Sequence, residues 1–159
     1  MVKQSFLPII ASEPRILILG SLPGDLSIEM NQYYGHPRNR FWRIMFTINK
    51  EDFSEDYQIR ERLIQNNHFV LWDVAHSATR KGSMDDDILD VVPNKIDELL
   101  KKYPTIRQLI FNGKKAEQLF KKHFEQKSTI IYTSLPSTSP ANAQFSTDRL
   151  IEIWKKALI

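Results

Sequence analysis

The chain has 159 residues and a mass of 18.7 kDa, enough for one domain, and 42% of its residues are hydrophobic, enough for a buried core. It contains no cysteine, which excludes disulfides, thiolate catalysis, Cys-bound zinc and cysteinyl iron–sulfur clusters. The 22 Lys and Arg against 19 Asp and Glu leave a net charge of +3, and no apolar run approaches the ~20 residues that span a bilayer.

The opening segment, MVKQSFLPIIASEPR, is interrupted by two prolines and lacks a signal-peptide pattern. The expectation is a single soluble domain over residues 1–159, cytoplasmic and away from membranes. Its first strand is expected at Ile16–Leu19, followed by the turn Gly20-Ser21-Leu22-Pro23-Gly24. Phe41, Trp42, Ile44, Met45 and Ile48 then read as a thickly apolar helix, and Ile59, Leu63 and Ile64 as a weaker one. A second strand falls at Phe69–Trp72. Asn94 is placed to cap a helix burying Ile96, Leu99 and Leu100. A third strand, Leu109–Phe111, precedes a helix carrying Ala116, Leu119, Phe120 and Phe124. The fourth, Ile130–Tyr132, is followed after a Ser146 cap by Leu150, Ile151, Trp154 and Leu158 at helical spacing. None of the four strands alternates cleanly with polar residues, as expected of strands buried on both faces. Strands alternating with helices predict an α/β fold of three layers, α/β/α, around a central four-stranded parallel sheet.

Ligands of such sheets bind beyond the carboxyl ends of the strands. The segments there are Gly20–Gly24, Asp73–Ser77, Asn112–Lys115 and Ser134–Asn142, all polar or turn-forming. The first lacks the Lys-Ser/Thr ending of a P-loop and is not G-x-G-x-x-G, so on its own it is a plain turn or a binding loop. The stretch Gln32-Tyr33-Tyr34-Gly35-His36-Pro37-Arg38-Asn39-Arg40-Phe41-Trp42 is more unusual, packing aromatics, a His, an Asn and two Arg together. Aromatic faces stack on nucleobases and Arg holds phosphates, although Phe41 or Trp42 also reads as core. Asn39, at a helix start between two arginines, reads equally as a cap or as a catalytic side chain. The hydroxyl-rich loop Leu135-Pro136-Ser137-Thr138-Ser139-Pro140-Ala141-Asn142 offers donors to a phosphate backbone.

Charge is segregated along the chain. Residues 51–100 carry five basic and twelve acidic side chains, and residues 101–127 carry eight basic and two acidic. Such polarity fits a basic side facing a polyanion, or solvated helix faces that happen to differ in sign.

These motifs together, with Leu71-Trp72-Asp73-Val74 and Gly82-Ser83-Met84-Asp85, resemble the uracil-DNA glycosylase superfamily, most of all its hypoxanthine-DNA glycosylase branch. The resemblance runs over residues 15–143. It implies the four-stranded parallel sheet and the excision of a deaminated base, hypoxanthine, from double-stranded DNA in base excision repair, with no metal and no cofactor. Two branches of the superfamily hold an iron–sulfur cluster through cysteines, and this chain has none. Ser21-Leu22-Pro23-Gly24 lacks the water-positioning Asn or Asp of the uracil- and mismatch-specific branches, and Leu135 stands where the uracil branch has His. The hypoxanthine branch uses instead the Asn of its Tyr-x-His-Pro-x-Asn segment, here Asn39.

On that resemblance Asn39 holds the attacking water, while His36 and the backbone N–H groups of Ser21 to Gly24 stabilise charge on the leaving base. The base pocket comprises Gly20, Ser21, Pro23, Gly24, Tyr34, Phe41 and Asp73, with Tyr34 or Phe41 stacking on the base. Asp73 accepts its ring N–H, unless it serves as a helix cap or as an ion-pair partner of Arg80. Ser137, Ser139 and Asn142 contact phosphates, and Arg38, Arg40, Lys114 and Lys115 add a basic DNA-facing side. A monomer is expected. Uracil as the substrate, a mismatch-specific enzyme, a non-catalytic damaged-DNA binder and a hydrolase of free nucleosides are the competing readings.

Overall fold

Residues 1–158 are described by the computed structural model. Two of its strands, β3 (Ile16–Gly20) and β7 (Gln108–Asn112), are buried at every position. With β4 (Phe69–Asp73) and β8 (Ile131–Leu135) they form four parallel strands in the order β4-β3-β7-β8. The pleat sends alternate residues to opposite faces. Ile16 and Ile18 join one apolar cluster, and Leu17 and Leu19 the other. Helices α2 (Phe41–Ile48), α3 (Tyr57–Asn66) and α6 (Thr147–Ala157) cover the first face through Ile44, Leu63 and Trp154. Helices α4 (Ile96–Lys102) and α5 (Lys114–His123) cover the second through Leu99 and Phe120. The layering is the α/β/α expected, and the Ser146 hydroxyl caps α6 by accepting the Arg149 N–H.

Five features depart from the sequence reading. The central sheet has a fifth strand, since β2 (Ile9–Ile10) pairs antiparallel with β4 at the edge; two residues are too few for any periodicity to register. The last parallel strand begins one residue later than expected and runs to Leu135. As an edge strand it tolerates Thr133 and Ser134, which do not look like a buried run. A second sheet, β1-β5-β6, is antiparallel and built from β1 (Val2–Gln4), β5 (Ala75–Thr79) and β6 (Leu89–Pro93). Most of its residues are exposed or half-buried, so apolar content did not reveal it, and the segment after Asp73 is a strand and not a loop. Helix α1 (Asp25–Met30), six residues long, was also missed.

The fifth departure is Asn94. Its side chain does not cap α4; its Nδ2 donates to the carbonyls of Asp73 and Ala75 at 2.8 and 3.3 Å. The chain leaves one sheet for the other between those residues, and the Asn94 side chain ties the crossing together. Among the described residues no helix is long and apolar enough to cross a membrane.

Candidate active site

A cavity of about 740 Å³ opens at the carboxyl ends of the parallel strands. Its wall is made by residues 20–27, Tyr33, Tyr34, His36, Asn39, Asp73, residues 83–86, Asn112 and residues 137–142. Strand register explains the floor. Gly20 sits opposite Asp73 at the ends of β3 and β4, and a Cβ on Gly20 would meet Asp73 Oδ1 at 2.5 Å. Only glycine lets the carboxylate lie over the strand end. Gly24, by contrast, has φ −69° and 3.6 Å of room to Ser83, so it is the less demanding of the two glycines in that turn.

Asp73 is 3% exposed. Its Oδ2 accepts from Ser5 Oγ at 2.7 Å, and among the described residues no cation pairs with it. Burial pushes its carboxyl up to about 7; the nearby Asp85 charge adds to the shift, while the Ser5 bond and the Arg80 charge oppose it. The alternative of an Asp73–Arg80 ion pair is not realised. Arg80, 1% exposed, donates to the carbonyls of Gly82 and Pro23 and so ties the first loop to the 82–86 loop. Ser21 strengthens the same join by donating to Asp85 Oδ1 at 2.8 Å.

The segment before α2 is a tight turn in which Asn39 N–H donates to the His36 carbonyl. His36 Nδ1 accepts the Arg38 N–H at 3.1 Å, which leaves the ring proton on Nε2 as a donor. Asn39 Oδ1 accepts the Phe41 N–H at 2.9 Å. Asn39 therefore caps the helix start and lines the cavity at once, because one lone pair of Oδ1 and the whole of Nδ2 are left over from the cap. The two readings of Asn39 are compatible.

Phe41 is placed differently from the expectation. It is fully buried and off the cavity wall, stacked beneath Tyr34 at 4.1 Å between ring centroids. Its two-sided packing, against Tyr34 and edge-on to Trp42 and Trp154, makes it core. Tyr34 alone of the pair faces the cavity. Arg40 is likewise not a free DNA-facing cation. Its guanidinium donates to the carbonyls of Asn142 (2.7 Å), Ser139 (3.3 Å) and Phe145, and its own N–H donates to the Thr138 carbonyl. It clamps the Ser/Pro loop onto the start of α2.

Within that loop Ser137 Oγ and Ser139 Oγ accept the N–H groups of Ser139 and Ala141, and Asn142 Nδ2 donates to the Ser137 carbonyl. These side chains build the loop's turns, and each serine hydroxyl still has its proton to donate. Arg38 and Lys114 are exposed and Lys115 half-buried, all three off the cavity wall. The sequence reading gave no role to Ser5, or to the buried pair Asn112 and Thr138, which exchange two 3.0 Å hydrogen bonds across the cavity floor. Asn112 lies in a segment flagged by its position after a strand, whereas Thr138 had no signal beyond its loop. Leu135 is buried in the core, off the cavity wall.

A family model of the uracil DNA glycosylase superfamily matches residues 7–158. The chain is 38% identical over 160 residues to a hypoxanthine DNA glycosylase of Methanosarcina acetivorans, covering 98% of this chain and 97% of the relative. It is 45% identical over 117 residues to a hypoxanthine DNA glycosylase of Methanosarcina barkeri, covering 73% of this chain and 74% of that one. A solution NMR structure of a candidate uracil DNA glycosylase from Methanosarcina acetivorans superposes with a TM-score of 0.81 at 36% identity, covering 99% and 96% of the two chains.

Proposed function

The chain belongs to the uracil DNA glycosylase superfamily, and on that premise we propose that it is a hypoxanthine DNA glycosylase, a hydrolase that cleaves the N-glycosidic bond of deaminated adenine in DNA. The observation that carries this reading is the convergence of Asn39, His36 and Asp73 on one cavity whose mouth is framed by the Ser/Pro loop. The substrate is duplex DNA bearing the damaged base. The enzyme acts as a monomer in the cytoplasm, associated with the nucleoid when on DNA, and neither a metal nor a cofactor takes part.

A base inside a duplex is out of reach of such a cavity, so the nucleotide leaves the stack at a cost of roughly a few kcal/mol, least for a poorly paired base. Hypoxanthine opposite thymine pairs poorly. In the pocket the ionised Asp73 accepts the ring N1–H of hypoxanthine; adenine presents a bare nitrogen there and is repelled. The C1′–N9 bond breaks with its electron pair going to N9, through an oxocarbenium-like sugar. The His36 Nε2–H and the backbone N–H groups of the first loop stabilise the charge that develops on the base. Asn39 holds the water whose oxygen bonds to C1′, and the water's proton passes to the departing base or to solvent. Asn39 has no basicity to contribute, so its effect is positional.

Duplexes carrying one hypoxanthine or one uracil, treated with alkali after incubation, test the reading. Strand breaks at hypoxanthine are expected, and salt-dependent binding without abasic product would leave only a damaged-DNA binder. Uracil stays as a second substrate because its ring N–H satisfies Asp73 equally well.

A further inference from the structure

Most of the basic residues between positions 101 and 127 lie at the end of the molecule away from the cavity. The parallel strands fix this, because the cavity opens at their carboxyl ends and the helices that follow them run back to their amino ends. Helix α5, ten residues and about 15 Å long, carries Lys114 and Lys115 where it starts and Lys121 and Lys122 where it stops. Lys101 and Lys102 close α4, which leads into the start of β7. Arg15 and Arg107 stand immediately before β3 and β7, and the Arg107 N–H donates to the Arg15 carbonyl at 2.8 Å. Helix α6 ends there too, since the Gln108 side chain donates to the Ala157 carbonyl at 2.7 Å, and its last turn holds Lys155 and Lys156.

All eight of these cations are exposed. Five-residue strands set them about 16 Å beyond the cavity floor. Among the described residues only Lys121 of the eight pairs with a carboxylate, Glu117 at 3.0 Å; the acidic residues of the adjoining loops, Glu13 and Glu125, pair with none. The cavity end shows the reverse, with Asp25, Asp73, Asp85 and Asp86 in its wall.

The helix dipole favours lysine at any helix C-terminus, but it does not account for this arrangement. Helices α1, α2 and α3 end without a basic residue, and Arg15 and Arg107 belong to no helix. Crowded, unpaired cations repel one another, a cost removed by a polyanion that offers closely spaced phosphates. Duplex DNA carries one charge per ~1.7 Å of axis. Arginine suits phosphate through its forked donors, and lysine is depleted from protein–protein interfaces, so nucleic acid fits this pole better than an acidic protein does.

We propose that the far pole is a second, sequence-independent DNA-binding surface, which holds a separate duplex segment while the cavity end holds the lesion. The identity of the partner rests on the glycosylase reading. Gripping two segments at once lets the enzyme pass from one to the other without first entering free solution.

The test follows a labelled duplex carrying an abasic site, the reaction product, as it leaves the protein in the presence of unlabelled, undamaged duplex. Wild type is compared with a quadruple variant, Lys101→Gln, Lys102→Gln, Lys121→Gln and Lys122→Gln, and with the double variant Arg15→Gln and Arg107→Gln. The double variant leaves every helix end untouched. Wild-type dissociation should quicken in proportion to competitor, because the competitor binds the far pole before the product leaves. Both variants should lose most of that dependence. With about four phosphate contacts, affinity for the second duplex should fall roughly a hundredfold between 50 and 200 mM salt. Single-turnover excision of hypoxanthine with enzyme in excess should be the same in all three proteins. Wild-type dissociation that ignores competitor, or variants that keep the dependence, would overturn the proposal while sparing the glycosylase reading. Slower excision by either variant, corrected for the folded fraction in its melt, would also overturn it, since the pole would then be holding the lesion duplex itself. Binding of polyglutamate but of no second duplex gives the pole to an acidic protein and rejects the assignment to DNA. A wild-type protein that releases no hypoxanthine overturns the glycosylase reading, and the identity of the partner with it.

Discussion

Replacing Asp73 by asparagine removes a charge that the fold holds in an unfavourable place. The carboxyl is 3% exposed and is raised from its ordinary 3.8 to about 7, mainly by burial. Between those values the folded chain binds a proton that the unfolded chain has released. Stability contributed by the protonated group is therefore complete below pH 3.8 and is lost as pH climbs through about 7. That rise, from 3.8 to about 7, sets a ceiling of about 4 kcal/mol on the destabilisation above pH 8. Asparagine is nearly isosteric, its Oδ1 still accepts from Ser5, and it cannot ionise. Asp73→Asn is expected to melt within a degree or two of wild type near pH 5 and several degrees higher near pH 8.5. At this chain length each kcal/mol is worth about 2–4 °C. Thermal melts of both proteins across that range measure it. A gap in Tm that does not widen with pH would refute the claim that the folded protein carries a strained carboxylate at Gly20.

The same ionisation predicts function. Hypoxanthine excision by wild type should rise with pH through about 7 as Asp73 becomes an acceptor, and a pH–rate profile of Asp73→Asn should lose that limb. Asn39→Ala should slow single-turnover excision by about two to three orders of magnitude and cost about 1 kcal/mol of stability through the lost cap on Phe41, readable in parallel kinetics and melts. Arg40→Ala frees the carbonyls of Ser139, Asn142 and Phe145; faster amide exchange and proteolytic cutting confined to residues 137–146 are expected, with weaker DNA binding. Lys114→Ala with Lys115→Ala should reduce the slope of log K against log salt by up to about two, equally for damaged and undamaged duplexes; an effect on lesion preference would contradict their placement outside the cavity.

The parallel sheet was legible because its central strands bury both faces, so runs such as Ile16–Leu19 carry no polar residue to confuse the pattern. Helices with one apolar stripe, such as that holding Ala116, Leu119 and Phe120, were legible for the same reason. The second sheet was not. Val2–Gln4 and Ala75–Thr79 are held by cross-strand backbone bonds among side chains that are mostly exposed or half-buried, and backbone bonding leaves little mark on residue identity. That sheet nevertheless shapes the site, because its first strand leads into Ser5, whose hydroxyl reaches Asp73.

Residue identity and residue role separated in the site. Asn39, His36 and Asp73 are singled out by the family resemblance, since chemistry alone leaves Asn39 as either a cap or a catalytic group, and all three line one cavity. Phe41 and Arg40 misled, because stacking and phosphate binding are also what an aromatic core and a loop clamp require, and only burial distinguishes them. Ser5 and Asp73 are 68 positions apart, and nothing local to either announces the other. The costs converge on one place: a raised carboxylate and a left-handed tyrosine both lie around Gly20. A fold selected for stability alone would relieve each with a single substitution, Asp73→Asn being the simplest. A base that offers a ring N–H to Asp73 would relieve the buried carboxylate on binding, and the stabilising effect of Asp73→Asn should therefore come with lost discrimination against adenine.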